Sequence, residues 1–187
     1  MYIEPNVESS YRKNNLGKTI YEIVLELNPK VVVEFGILHG YSTLSIAQAL
    51  RDLDNGGKII AYDLFENYKY KHGTMEEVTK LLTKHNLQDC VELKYGNLYE
   101  WVDNPEEFDL LHIDIANDGD ILKLVSDKLP NKNILFEGGS KERDTEWWME
   151  KYNRTPIYPY INEIKYEILN NSWPSISLIR GVNDKRK

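Results

Sequence analysis

The sequence Val31-Val32-Val33-Glu34-Phe35-Gly36-Ile37-Leu38-His39-Gly40-Tyr41-Ser42 decides the fold of this chain. Three β-branched residues lead to an acid, and two glycines four positions apart precede a helix-like run over residues 43–50. A β-branched apolar run favours a buried strand, and glycine allows the backbone to turn tightly. The stretch therefore predicts a strand over 31–35, a tight turn, and a helix over about 41–53 whose first N–H groups can bind a ligand.

The same alternation continues along the chain. Further strands are predicted over 58–62, 90–94, 108–113 and 133–136, and helical patterns fall between them, at about 75–85 and around Ile121, Leu122 and Val125. Ser140 is placed to cap a last helix, and two adjacent strands, over 164–169 and 175–179, close the chain as a hairpin. This order predicts an α/β fold in one domain over 1–187, with a doubly wound, mostly parallel, seven-stranded sheet and an antiparallel C-terminal hairpin strand.

Bulk properties exclude several classes of protein. The net charge of −7 over 187 residues argues against a general nucleic-acid binder, and the basic end at 185–187 is too short to reverse that balance. The single cysteine, Cys90, excludes an internal disulfide and a thiolate zinc cluster. No secretory signal and no apolar segment of membrane-spanning length is visible, so we expect a cytoplasmic protein without a membrane partner.

Acids and a polar amide follow the predicted strands. Glu34, Asp63, Asp114 and Glu137 stand at four of the strand ends, and Gly96-Asn97 stands at the remaining one. In doubly wound sheets ligands bind outside the carboxyl ends of the strands. Four carboxylates there would repel a phosphate-rich ligand and favour one with hydroxyls, an amine and a fixed positive charge.

The glycine spacing also bears on the ligand. The dinucleotide fingerprint GxGxxG needs a second glycine where this chain has Leu38, and the phosphate-binding pattern GxxxxGK[ST] is absent. An NAD-type oxidoreductase is therefore a lesser alternative.

The chain resembles the class I S-adenosylmethionine-dependent methyltransferases, and most closely the catechol and caffeoyl-CoA type O-methyltransferases. Residues 34–42 are similar to the family's first motif, acid-x-Gly-x-x-x-Gly-Tyr-Ser. Residues 96–98 resemble its Gly-Asp-Ala, and residues 108–114 resemble its Phe-Asp-Leu-x-Phe-Ile-Asp. The similarity runs in order from about residue 18 to residue 139, and it implies a Rossmann-like methyltransferase fold.

The resemblance also implies roles for individual residues. The glycine turn would surround the amino-acid part of the cofactor, with Ser42 bonding its carboxylate and Glu34 near its ammonium group. Asp63 would accept the ribose hydroxyls, Asn97 would meet the adenine amine, and Asp114 would face the transferring methyl group and the substrate as the catalytic residue. The cofactor-binding set implied is Glu34, Gly36, Gly40, Tyr41, Ser42, Asp63, Leu64, Asn97, Leu98 and Asp114.

Simpler structural roles stay open for several of these residues. The alternative for Asp63 is a simple turn former beside a helix, and Gly96-Asn97 is a common turn pair. Asp114 lies close enough to the next helix to act as its cap.

The metal-dependent relatives hold a divalent ion that lowers the pKa of the substrate hydroxyl. They carry Asp at the fourth strand end and Asp-Asn at the fifth, whereas this chain has Asp114 and then Glu137-Gly138. The lysine expected shortly after the first Asp is replaced by Asn117. An altered site for Mg²⁺ or a similar ion would use Asp114, Asp118 and Glu137.

The function expected from these features is methylation of a small molecule, at oxygen, by direct displacement from S-adenosylmethionine. The alternatives are a binding domain that kept the cofactor pocket without the chemistry, and a hydrolase-like or hydroxylase-like member of the same fold. Substrate contacts are expected from His39, the loop at 68–70, Arg143 and Trp147, or from a second subunit of a homo-oligomer.

Overall fold

The computed structural model describes residues 1–70 and 72–181, so the basic end at 185–187 lies outside the described residues. The chain divides into two compact units, Met1–Leu110 and Leu111–Lys187. The helices are α1 (Leu16–Leu27), α2 (Tyr41–Leu53), α3 (Met75–Lys84), α4 (Leu98–Trp101), α5 (Gly119–Lys128), α6 (Lys141–Asp144) and α7 (Trp147–Lys151). The strands are β1 (Val31–Phe35), β2 (Lys58–Asp63), β3 (Val91–Tyr95), β4 (Leu110–Ile113), β5 (Asn133–Glu137), β6 (Tyr166–Asn170) and β7 (Ile176–Ile179).

The strands form one seven-stranded sheet in the order β3-β2-β1-β4-β5-β7-β6. In the first unit β1 pairs with β2 and β2 pairs with β3, both in parallel. In the second unit β7 runs antiparallel to both β5 and β6. The predicted fold class is confirmed: the sheet is mostly parallel, and a C-terminal hairpin supplies its reversed strand. The prediction that residues 1–187 form one domain stays a prediction.

The first unit is organised around β1 and α2, which hold the glycine turn between them. Val32, Val33 and Phe35 are almost completely buried, and Phe35 stacks on Tyr62 of β2 with ring centroids 5.0 Å apart. Residues 41–50 of α2 are all buried, and α2 packs along α1. The turn therefore starts and ends on rigid elements.

The second unit departs from the predicted boundaries by more than one residue at the helix after Ser140 and at the start of β6. The helix expected after Ser140 divides into α6 and α7, because Glu146 between them adopts an extended conformation with ψ of 137°. β6 begins at Tyr166 rather than at 164, because residues 161–165 form a π-helical turn that ends with Lys165 at φ of 61°. Ser140 does cap α6, accepting a hydrogen bond from the Arg143 N–H at 3.1 Å.

In the part of the chain that the structure describes, no helix combines the length and the apolar character that crossing a bilayer requires.

Candidate cofactor and catalytic site

The turn between β1 and α2 has an unusual backbone. Gly36 and Gly40 have φ of 91° and 87°, and Leu38 between them has φ of 51°. A Cβ atom on Gly40 would meet Leu81 and Val78 only at 3.5 Å, so the backbone conformation, and not space, calls for glycine there. Gly40 precedes α2 without a side-chain cap, and a helix start of this kind favours an anionic group of a ligand.

Asp63, at the end of β2, is bonded directly to the glycine turn. Its Oδ2 accepts hydrogen bonds from the N–H groups of Ile37 at 2.6 Å and Leu38 at 3.2 Å. Its Oδ1 accepts from the Phe65 N–H at 2.9 Å and lies 2.9 Å from His72 Nε2. The side chain is almost fully buried. Burial alone would raise the pKa of Asp63, but His72 and the N–H groups outweigh it, so the pKa lies below its usual range.

Glu34 and Tyr41, both expected at the cofactor, bond to protein groups. Glu34 is fully buried, and its Oε2 accepts a hydrogen bond from Thr43 Oγ1 in the first turn of α2 at 2.5 Å. Tyr41 turns its hydroxyl to Glu4 of the N-terminal segment at 2.7 Å, and burial raises its pKa. These contacts fasten α2 to β1 and to the N-terminal segment. Ser42 lies between them at the helix start and is buried.

Asn97 is a helix cap. Its Oδ1 accepts a hydrogen bond from the Glu100 N–H at 3.0 Å, at the start of α4. Leu98, the first residue of α4, is buried, whereas Leu64 after Asp63 is 39 % exposed. The cap matches the simple structural role left open for Asn97, and the expected adenine contact stays a prediction.

In the second unit, Asn117 connects the ends of two strands. Its Nδ2 donates to the carbonyl oxygen of Ile113 at 2.7 Å and to that of Glu137 at 2.9 Å. Asp114 follows β4 directly and is half-buried. Asn117 therefore joins the end of β4 to the end of β5, and Asp114 is the residue that directly follows this end of β4.

Glu137 binds a buried arginine. Arg143 donates from Nε to both carboxylate oxygens at 3.1 and 3.2 Å, and from Nη2 to Oε2 at 2.8 Å. Gly138, with φ of 107°, leaves room for this contact, because a Cβ atom there would come within 3.2 Å of Arg143 Nε. Burial raises the pKa of Glu137 to about 7, although Arg143 acts in the opposite direction; Asp114 and Asp144 add to the rise.

The contacts of the acids do not fit the metal site of Asp114, Asp118 and Glu137 that the sequence suggests. Asp118 caps α5 with Oδ1, which accepts from the Ile121 N–H at 3.0 Å, and its Oδ2 accepts from Arg154 Nη1 at 3.1 Å. Both oxygens of Glu137 are engaged by Arg143. Within residues 1–70 and 72–181, no three His, Cys, Asp or Glu side chains are grouped to hold a metal ion. Asp114, Asp118 and Glu137 are thus not assembled as a metal-ligand set in this part of the chain.

The residues expected at the substrate differ in exposure. Arg143 is fully buried, so the expectation that it contacts a substrate is wrong: its guanidinium is committed to Glu137. Trp147 is 66 % exposed, and Tyr68 and Tyr70 are also exposed. His39 borders a surface cavity of about 340 Å³ in the first unit, whose lining residues are Val7, Glu8, His39, Gly73, Glu77, Val78 and Leu81.

Two site residues have no recognisable sequence signal. His72 reaches Asp63 from nine positions further along the chain, and no local pattern links the two. Thr43 bonds Glu34 across the turn, also over nine positions. The periodicity of α2 would place Thr43 on its buried face, but periodicity alone does not name a partner.

Comparison with known proteins places this geometry in a class. The model of a family described as "Methyltransferase domain" matches residues 33–131. That range holds the glycine turn, Asp63, Asn97, Asp114 and Asp118. The chain belongs to this family, and it is a class I S-adenosylmethionine-dependent methyltransferase.

Solved structures with a similar fold support the assignment. The O-methyltransferase of Bacillus cereus in complex with SAH has a TM-score of 0.64 at 18% identity, with 95% of this chain and 84% of that chain covered. The SAH-bound methyltransferase PaMTH1 of Podospora anserina has a TM-score of 0.60 at 19% identity, with 89% of this chain and 77% of that chain covered. TomG, an O-methyltransferase of Streptomyces achromogenes in complex with SAM, has a TM-score of 0.59 at 14% identity, with 92% of this chain and 86% of that chain covered. A search of curated proteins finds no significant match.

Proposed function

We propose that the protein transfers the methyl group of S-adenosylmethionine to an oxygen atom of a small molecule. The observation that carries the proposal is the buried carboxylate of Asp63, which gathers the N–H groups of the glycine turn in a chain of the methyltransferase family. Structural neighbours include O-methyltransferases in complex with SAH and with SAM, which supports both the cofactor and the class of acceptor.

The cofactor would be bound through polar groups of the first unit. The ribose hydroxyls are hydrogen-bond donors, as are the N–H groups that bond to Asp63. They can take the place of His72, whose Nε2 lies 2.9 Å from Oδ1, while the Phe65 N–H still donates to that oxygen. The cofactor carboxylate would accept hydrogen bonds from the first N–H groups of α2 and from the hydroxyl of Ser42. Burial of Asp63 would strengthen its hydrogen bonds to the ribose.

The chemical step is a direct displacement. The acceptor oxygen attacks the methyl carbon, the bond between carbon and sulfur breaks, and the sulfur keeps the electron pair as S-adenosylhomocysteine forms. The proton of the acceptor hydroxyl must leave, and we assign its removal to Asp114, which the resemblance to the family would place beside the transferring methyl group and the substrate. The remaining contribution of the protein is alignment of oxygen, methyl carbon and sulfur.

The test is methyl transfer from radiolabelled S-adenosylmethionine to a panel of phenols, catechols, aliphatic alcohols, amines and thiols. We expect label in hydroxyl acceptors only, and we expect Asp114→Asn to lower kcat by about a hundredfold with little change in SAH affinity. Asp120→Asn, at an exposed position in the first turn of α5, is the matched control and should keep full activity. Transfer confined to amines, or NAD binding without a response to SAH, would refute the proposal.

A non-catalytic cofactor-binding domain is the second candidate, because Glu137, at one of the strand ends that carry chemistry in the relatives, is occupied by Arg143. SAH binding without transfer to any acceptor would favour that candidate. The cytoplasmic location and the possible homo-oligomer also stay predictions.

A further inference from the structure

Arg143 is a fully buried cation whose three side-chain nitrogens all donate hydrogen bonds. Besides the three contacts to Glu137, its Nη2 donates to the carbonyl oxygen of Asn117 at 2.5 Å and its Nη1 to Met149 Sδ at 2.8 Å. Its guanidinium carbon lies 4.4 Å from the ring centroid of Trp148. A buried guanidinium is costly unless its donors are satisfied, and every nitrogen of this one has a partner.

Negative charge surrounds this guanidinium. The Asp144 carboxylate lies 3.9 Å from Nη1, and Asp114 is close enough to Glu137 to raise its pKa. Two carboxylates, those of Glu137 and Asp144, therefore lie 2.8 and 3.9 Å from one buried positive charge, and a divalent cation in an oxygen-ligand site is neutralised by groups of the same kind. The charge here belongs to a side chain of the protein.

Glu137 and Asp118 are the other two acids of the metal site expected from the sequence, and their carboxylate oxygens accept hydrogen bonds from protein groups. Glu137 directs both oxygens at Arg143, and Asp118 uses one oxygen to cap α5 and the other to bind Arg154. Position 138, where the metal-dependent relatives would supply an amide oxygen, is a glycine. A cation entering this site would have to displace a bidentate pair in a buried place.

We propose that Arg143 is a built-in counter-cation in the place of a divalent metal ion, and that methyl transfer by this enzyme does not require a metal. The proposal rests on the proposed function, and it makes Arg143 a positioning residue, which holds Glu137 and the β4–β5 ends without touching the substrate. Without a Lewis acid to lower the pKa of the acceptor hydroxyl, proton removal then depends on a protein base, the role proposed above for Asp114.

The test uses metal binding as a readout independent of activity. Thermal unfolding of the metal-free protein with SAH is measured with and without millimolar Mg²⁺, Mn²⁺ or Ca²⁺, for the wild type, Arg143→Met, Arg143→Lys and the double variant Glu137→Gln, Arg143→Met. We expect no shift for the wild type or Arg143→Lys. We expect Arg143→Met to gain about 3 °C or more with Mn²⁺, because Glu137 and Asp144 then lack their counter-charge and attract the ion, and the double variant to gain nothing. Methyl transfer by the wild type should be unchanged by EDTA.

The outcomes separate the two proposals. A Mn²⁺-induced shift in the wild type, loss of transfer in EDTA that Mg²⁺ restores, or a folded Arg143→Met that ignores every ion would overturn the role of Arg143. If Arg143→Met does not fold, the wild type and Arg143→Lys still decide, because an ion response in either contradicts the proposal. Absence of SAH binding to the wild type would instead refute the proposed function, whatever the ions do.

Discussion

Asp63 in the first unit and Glu137 in the second are both buried acids at strand ends, yet their surroundings differ. Asp63 is held by backbone N–H groups and a histidine, which lower its pKa, whereas Glu137 is held by a bidentate arginine and still has a raised pKa. The partners of Asp63 belong to a turn and a loop, and those of Glu137 to a packed network. Asp63 can therefore exchange one of its partners for a ligand, whereas Glu137 has a structural role.

The largest expected effect comes from removing the cation beside Glu137. Arg143→Met should destabilise the protein by about 3 kcal/mol or more at pH 8, because it leaves an ionised carboxylate buried without a partner. At pH 5.5 the loss should be smaller, because Glu137 is then protonated. Urea unfolding at both pH values, with Arg154→Met as the control at a half-exposed pair, measures the difference. Equal losses at both pH values would show that Glu137 does not carry the effect.

The two acids should also affect the pH dependence of stability in opposite directions. The folded-state pKa of Glu137 is raised from 4.5 to about 7, so the folded state binds more protons in that window and stability falls as pH rises through it. The loss is of order 3 kcal/mol at most. Asp63, with a lowered pKa, contributes stability above the usual carboxyl pKa that is lost as pH falls.

Glu137→Gln isolates the contribution of Glu137. Between pH 5 and pH 7.5 the free energy of unfolding of this variant should decline less than that of the wild type, because it has no proton to release there. Asp63→Asn should leave this slope unchanged. Parallel curves for the wild type and Glu137→Gln would contradict the raised pKa.

A smaller effect, on SAH affinity, is expected from replacing His72, which contacts Asp63. His72→Ala should tighten SAH binding about fivefold, because the ribose no longer competes for Asp63 Oδ1. Isothermal titration calorimetry measures it, and His85→Ala, at the end of α3, is the control. Weaker binding would mean that His72 contacts the ligand instead.

The smallest expected effect separates two roles of Asn97. Asn97→Ser keeps a cap for α4, so stability should change by less than about 0.5 kcal/mol, while SAH affinity should fall about threefold as the longer amide is lost. Asn97→Ala should lose the same affinity and about 1 kcal/mol of stability. Unchanged affinity in both variants would make Asn97 only a cap.

The comparison also shows what the sequence could predict. The β-branched run at 31–33 and the glycine spacing were enough to predict β1, the turn and α2, because those signals are local. The class of protein followed from motifs in order. The contacts of His72 with Asp63 and of Arg143 with Glu137 depend on loop paths, and an arginine six residues after an acid can as easily face solvent. Arg143 was therefore wrongly expected at the substrate.

The central claim is that the glycine turn and Asp63 form an S-adenosylmethionine site, and calorimetric titration of SAH into the wild type and Asp63→Asn tests it most directly. We predict micromolar or tighter binding by the wild type, weakened by about ten- to a hundredfold in Asp63→Asn, as expected for loss of charge-assisted hydrogen bonds to the ribose. Asp109→Asn, at the opposite end of β1, should bind as the wild type does. Equal affinity of Asp63→Asn and the wild type for SAH would contradict the account.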